Sequence, residues 1–175
     1  MKNGIILYKS SYGATKKYAL WLQEKTGFAL METKKATLKD VQSCDTIILG
    51  GGLYAGFIAG LNFLKKHYSK LQGKKVLVFA VGATEYDEKY IATLQDAQFK
   101  DELAALPLFY CRGAWDDSNM KPFHRFLINM GKKMMQKQKD PSMESMAEGL
   151  MGSAGQKADW TDEKYLAPIL AELEK

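Results

Sequence analysis

Ser10, Ser11, Tyr12 and Thr15 gather hydroxyl groups around Gly13 in the stretch Tyr8-Lys9-Ser10-Ser11-Tyr12-Gly13-Ala14-Thr15-Lys16-Lys17. An apolar run, Gly4 to Tyr8, leads into it, and an apolar-periodic segment, Ala14 to Leu22, leads out. Strand, hydroxyl-rich loop and helix in that order make an anion cradle built from neutral donors. The first backbone N–H groups of a helix have no intrahelical partner and converge on one spot. The helix dipole adds partial positive charge there, worth about 0.3–1 kcal/mol to an exposed anion. Ser10, Ser11, Tyr12 and Thr15 add hydroxyl donors, and Gly13, followed by the small Ala14, lets a ligand approach the backbone. An ordinary strand-to-helix turn with a Ser/Thr cap would use the same residues.

The spacing selects among phosphate loops. A triphosphate loop needs Gly-x-x-x-x-Gly-Lys-Ser/Thr and a dinucleotide loop needs Gly-x-Gly-x-x-Gly, and neither pattern is present. Two further stretches could hold a flat ligand. Gly50 to Gly60 follows the β-branched run Thr46 to Leu49 and carries Leu53, Tyr54, Ala55, Gly56 and Phe57. Gly82, Ala83, Thr84, Glu85, Tyr86 and Asp87 follow the apolar run Lys75 to Val81. In a parallel sheet, ligands sit outside the carboxyl ends of the strands, where such loops lie. Tyr54 and Tyr86 are the two stacking candidates. Packing of the aromatics on the sheet edge is the alternative.

The elements that must position these loops follow from periodicity. Strands are expected near Gly4–Tyr8, Phe28–Glu32, Thr46–Gly50, Lys75–Val81 and Pro107–Arg112. Helices are expected over Ala14–Lys25, a turn or two near Leu38–Gln42, Leu61–Leu71, Glu88–Leu103, Met120–Gln138 and Thr161–Glu174. Alternating strands and helices give an α/β fold with an open, five-stranded parallel sheet and helices on both faces. In the closing helix, Tyr165, Leu166, Ile169, Leu170 and Leu173 form a stripe suited to packing on the sheet. The helix over Met120–Gln138 would be an extra, basic element after the fifth strand. Phe123, Phe126, Leu127, Met130 and Met134 share one stripe of it, opposite Lys121, Arg125, Lys132 and Lys139.

The loop Ser10-x-Tyr12-Gly13-x-Thr15 resembles the FMN-phosphate loop of the flavodoxin family, with Tyr12 where a threonine is commoner. The three loops occur in the order in which that family binds the phosphate, the inner face and the outer face of the flavin. The resemblance covers about residues 1–115 and implies sheet order 2-1-3-4-5, bound FMN, and ligand contacts from Ser10–Thr15, Leu53–Gly56 and Gly82–Asp87. With no second nucleotide fingerprint, FMN rather than FAD is expected. The segment after the fifth strand, with its basic helix and Asp159-Trp160 before the closing helix, resembles the flavodoxin-like menaquinone-dependent protoporphyrinogen oxidase family. The first loop departs from that oxidase toward general flavodoxins. The resemblance implies an oxidoreductase acting on a porphyrinogen-like or quinone-like molecule, or an electron carrier serving a redox partner protein. A fold of this kind that has lost its flavin is a third class.

Other uses of the topology fail on particular residues. A response-regulator receiver needs an Asp at the end of the third strand, where this chain has Gly50-Gly51-Gly52. A low-molecular-weight phosphatase needs Cys-x5-Arg in the first loop, and that loop has no cysteine. His67 and His124 lack metal-ligand spacing, so no metal is expected, and no residue stands out as a general acid or base. The 175 residues suit one domain, and Cys44 and Cys111, far apart, suit reduced thiols of a cytoplasmic protein. The net charge of +5 favours anionic partners, including the headgroups of an anionic membrane touched by the basic helix, whereas no nucleic-acid-binding motif is present.

Overall fold

Alternation of side chains along three central strands decides the architecture. In a computed structural model, which describes residues 3–54, 56–116, 118, 122, 125, 126 and 157–175, strand β1 (Gly4–Lys9) turns Ile5 and Leu7 to one face and Ile6 and Tyr8 to the other. Strands β3 (Thr46–Tyr54) and β5 (Lys75–Gly82) do the same with Ile47, Leu49, Val76, Val78 and Ala80 against Ile48, Leu77, Phe79 and Val81. Both faces are therefore apolar, as a parallel sheet covered on both sides requires. β2 (Ala29–Glu32) and β6 (Leu108–Arg112) complete the sheet, in the order β2-β1-β3-β5-β6 and parallel throughout. Counting only these five strands, this is the expected order 2-1-3-4-5.

Helices cover each face. Tyr18, Ala19 and Leu22 of α1 (Ala14–Thr26) lie on one side, together with Leu166, Ile169 and Leu173 of the closing segment. That segment is a 3-10 turn, Glu163–Leu166, running into α5 (Ala167–Glu174), and Tyr165 and Leu170 pack at its margin as the stripe predicts. On the other side lie Val41 of α2 (Leu38–Gln42), Leu61 and Leu64 of α3 (Leu61–His67), and Ile91 and Leu94 of α4 (Glu88–Gln98). Thr37 and Asp40 form a reciprocal capping box at the start of α2, and Gly27 ends α1 in the left-handed region.

Several boundaries differ from the expectation. The third strand does not stop at Gly50. It runs through the three glycines to Tyr54, because β1 and β5 supply ladder partners on either side up to Gly51 and Gly52 respectively. Beyond them it folds back into a short antiparallel strand, β4 (Phe57–Ile58). Helix α3 gives way to a 3-10 turn at Tyr68–Lys70. Helix α4 ends at Gln98, whose buried side-chain amide accepts from the Ile58 N–H and donates to the Gly56 carbonyl. After β6, β7 (Ala114–Asp116) and β8 (Lys157–Asp159) form a separate antiparallel pair that periodicity does not reveal. The expected helix over Met120–Gln138 lies outside the described residues, apart from Pro122, Arg125 and an exposed Phe126. Among the described residues, no helix is long and apolar enough to cross a membrane.

The centre of the sheet rests on a missing side chain. The Phe79 ring lies over Gly50, its ladder partner, so closely that any Cβ there would collide with it. Replacing Gly50 with Ala is expected to lower stability in urea by about 1–3 kcal/mol through overpacking. The double change with Phe79→Leu is expected to recover part of that loss.

Candidate functional site

The ends of β1, β3 and β5 bring the three loops to one edge of the sheet. In the first loop, Gly13 takes φ +98° as the N-cap of α1, a conformation that side-chain-bearing residues rarely adopt. No side chain caps this helix, so its first-turn N–H groups remain for a ligand or water. Two N–H groups just before the helix are held internally. The Gly13 N–H donates to Ser10 Oγ at 3.0 Å, and the Ser11 N–H donates to the Tyr54 hydroxyl at 3.0 Å. Thr15 is buried, Ala14 packs partly against the core, and Tyr12 stands 39% exposed.

Tyr54 joins the first and second loops. Its ring lies across Gly52, two residues back on the same face of β3, where a Cβ would strike the phenol. It meets Tyr12 edge to face at 5.9 Å. Burial pushes the Tyr54 phenol up, opposed by the hydrogen bond from Ser11. Leu53 points the other way, against the core, opposite Ile58. Gly56 turns the hairpin at φ +81°, and Ala55 lies outside the described residues. The second loop is thus a strand end and a hairpin carrying a 69%-exposed Phe57.

The third loop is pinned from β6. The Tyr110 hydroxyl donates to the Thr84 carbonyl at 2.7 Å and lies 3.1 Å from the Thr84 hydroxyl. That hydroxyl also fills the space beside Gly82, 2.6 Å from where a Cβ would stand. Arg112 reaches Ala83 and Glu85, and Asp87 caps α4 by accepting from the Tyr90 N–H at 2.9 Å. Tyr86 is left 62% exposed, with its ring 6.4 Å from Tyr110. Among the described residues, no group of three or more His, Cys, Asp or Glu side chains is placed to hold a metal ion.

The sequence matches the family model of the flavodoxin domain over residues 5–142, more than half of the chain. The chain belongs to the flavodoxin domain family. No curated protein matches it. Among solved structures, this flavodoxin domain is similar to the flavodoxin of Megasphaera elsdenii, at 17% identity over 85% of this chain and 98% of that one, with a TM-score of 0.49. A flavoprotein of Lactobacillus acidophilus, solved in complex with FMN, is 18% identical over 64% of this chain and 93% of that one, at TM-score 0.47. Flavodoxin 1 of Bacillus cereus is 17% identical over 78% and 99%, at TM-score 0.44.

Several residues that organise the site of this flavodoxin domain escape a reading by loops. Tyr110 and Arg112 sit inside a strand, and Tyr18 inside a helix. Tyr18 donates to the Arg112 carbonyl at 2.5 Å and accepts from the Asp162 N–H at 3.1 Å. The available signal was the alternation in β6, which puts the side chain of Tyr110 on the face opposite buried Cys111. Nothing in the sequence shows that Tyr54 reaches the first loop, because that contact spans 43 residues.

Removing the Tyr54 hydroxyl tests the link between the loops. In Tyr54→Phe the Ser11 N–H loses its acceptor. Its hydrogen-exchange protection is expected to fall at least about tenfold, with a global loss of only about 0.5–1.5 kcal/mol. Unchanged exchange at Ser11 would mean that the bond does not order the loop.

Proposed function

We propose that this chain binds one FMN along the carboxyl edge of its sheet and works as a redox flavoprotein. The observation that carries the reading is the uncapped start of α1, opened by Gly13 beside Ser10 and the buried Thr15. It provides one anion site made of neutral donors, which suits a monophosphate, in a member of the flavodoxin domain family. The residues present fit a flat ring as well: Tyr12 and Tyr86 stand exposed on the loops that follow β1 and β5. Flavin, when bound, supplies the redox chemistry, and the protein supplies binding, orientation and electrostatics. Engaging the N–H groups of Ser11 and Gly13 would require the Tyr54 and Ser10 hydroxyls to give them up. Lys9 and Lys16 stand exposed beside the loop and add long-range attraction for a phosphate.

Two measurements test the cofactor. Acid release from the saturated protein is expected to give FMN at about one per chain, and recovery of FAD would refute the reading. Gly13→Val places a β-branched residue at φ +98° in the cradle. It is expected to weaken FMN binding at least about tenfold, about 1.4 kcal/mol, and to weaken riboflavin binding much less. Equal losses would put the phosphate elsewhere.

The finer reading is oxidation of a porphyrinogen-like substrate with a quinone as electron acceptor, at an anionic membrane surface approached by Lys121, Arg125, Lys132 and Lys139. The positive charge of the chain and the segment Asp159-Trp160 before the closing helix support it over simple electron carriage. The FMN-loaded protein is expected to turn over protoporphyrinogen with a menaquinone-type acceptor and to lose that turnover without FMN. Absence of turnover, with flavin still reducible, would favour a carrier serving a redox partner protein.

A further inference from the structure

Arg112 ends β6, and its side chain is only 21% exposed. Three parts of the chain meet on it. Nε donates to the Ala83 carbonyl at 3.5 Å, Nη1 donates to Glu85 Oε1 at 3.0 Å, and the guanidinium lies 4.5 Å from the centre of the Trp160 ring. The Trp160 N–H donates to the Gly113 carbonyl at 3.0 Å, and the Gly113 N–H donates to Gly82 at 2.6 Å. The third loop and the closing segment are therefore tied to one cation.

That cation keeps most of its charge. The Glu85 side chain is 82% exposed, so water screens the pair and cancels little of the guanidinium's field. A planar, weakly hydrated guanidinium stacked on an indole tolerates partial burial better than an ammonium does. The other carboxylate of this loop, Asp87, accepts from the Tyr90 N–H at the start of α4. A fixed positive charge thus stands directly behind the loop read as the outer face of the flavin site.

The charge matters for flavin reduction. Oxidised flavin takes up two electrons and one proton to give the anionic hydroquinone, which carries one more negative charge than the oxidised ring. A nearby fixed cation favours that anion over the oxidised form. We propose that Arg112 is a positioning residue that holds the Gly82–Asp87 loop and raises the reduction potential of the bound flavin. The proposal rests on the FMN reading above.

The test uses the full chain loaded with FMN and reduced anaerobically by dithionite against a reference dye of known potential. Loss of one unit charge near a half-buried ring shifts a one-charge equilibrium by about tenfold. Arg112→Gln is therefore expected to weaken binding of reduced over oxidised FMN by about tenfold, about 30 mV lower for a two-electron couple. Arg112→Lys keeps the charge but not the fork or the stack, so it should hold the potential near wild type while weakening oxidised FMN binding by about threefold or more. Glu85→Gln, at an exposed and screened carboxylate, should leave the potential near wild type, and Arg112→Met keeps the electrostatic arm open if Arg112→Gln does not fold. A wild-type potential in Arg112→Gln or Arg112→Met would overturn the proposal. Equal drops in Arg112→Gln and Arg112→Lys would do so too, because loop geometry rather than charge would then set the potential. Failure of the wild-type chain to bind FMN would instead sink the cofactor reading itself.

Discussion

Three consecutive residues without side chains in the central strand set the terms for everything around them. Gly50, Gly51 and Gly52 are paired into the sheet, so their backbone is fixed, and only neighbours can fill the space they leave. Interiors pack at nearly crystalline density, and an unfilled gap forfeits contacts on every wall. Phe79 closes over Gly50, the Ile58–Ala59 turn closes over Gly51, and Tyr54 folds back over Gly52. The hairpin β3–β4 exists in part because a strand that reaches beyond its neighbours must cover its own end. Each filling group also has a second consequence. Tyr54 carries a hydroxyl into the first loop, and the β3–β4 hairpin holds the buried Gln98 side chain, donating to it from the Ile58 N–H and accepting from it at the Gly56 carbonyl.

The electrostatics of the edge follow the same economy. The first loop offers N–H and hydroxyl donors rather than a buried ammonium, which avoids the desolvation penalty of an unpaired interior charge. Lysines stand outside it in water. Lys17 bonds Asp159 and Thr161, and the Asp159 carboxyl is held below the usual range chiefly by its hydrogen bond with Thr161, with further help from Lys17. Lys34 bonds Glu32 at 2.8 Å, and that carboxyl too is held down, first by Lys34. These exposed pairs are worth little in stability. The Lys17 contacts do join the N-terminal and C-terminal parts of the chain, beside the loop most suited to an anion.

The sheet was legible because its strands are buried on both faces and read as continuous apolar runs, with loops at predictable ends. The five strands follow from that pattern, their order was implied by the resemblance of the three loops to the flavodoxin family, and the packing stripe of the closing helix follows from its own helical period. What periodicity could not show was anything decided by pairing between distant segments. Gly50–Gly52 look like a loop by composition and are a strand by virtue of β1 and β5. Ala114–Asp116 and Lys157–Asp159 are too short to carry a period and are strands only because they pair with each other. Within the site, residue types on loops were visible, but Tyr54, Tyr110 and Arg112 act through contacts made on folding.

The closing segment shows how a fold can place its last helix and its ligand edge under one constraint. Leu166, Ile169 and Leu173 are buried against the same face as α1, and burying each such side chain is worth roughly 1.5–3 kcal/mol. That anchors the segment from below. From above, the Asp162 N–H on the Tyr18 hydroxyl and Trp160 on Arg112 fix its entry to the sheet. Burial drives the Tyr18 phenol well above its ordinary range, so it stays neutral and keeps the proton it donates to Arg112's carbonyl. Tyr18, on the first helix, therefore binds the fifth parallel strand and the last segment at once. Loosening of the closing helix would reach the Gly82–Asp87 loop through the side chain of Arg112, at the end of the edge strand β6. The rigidity of that loop is a property of the tail as much as of the strand that carries it.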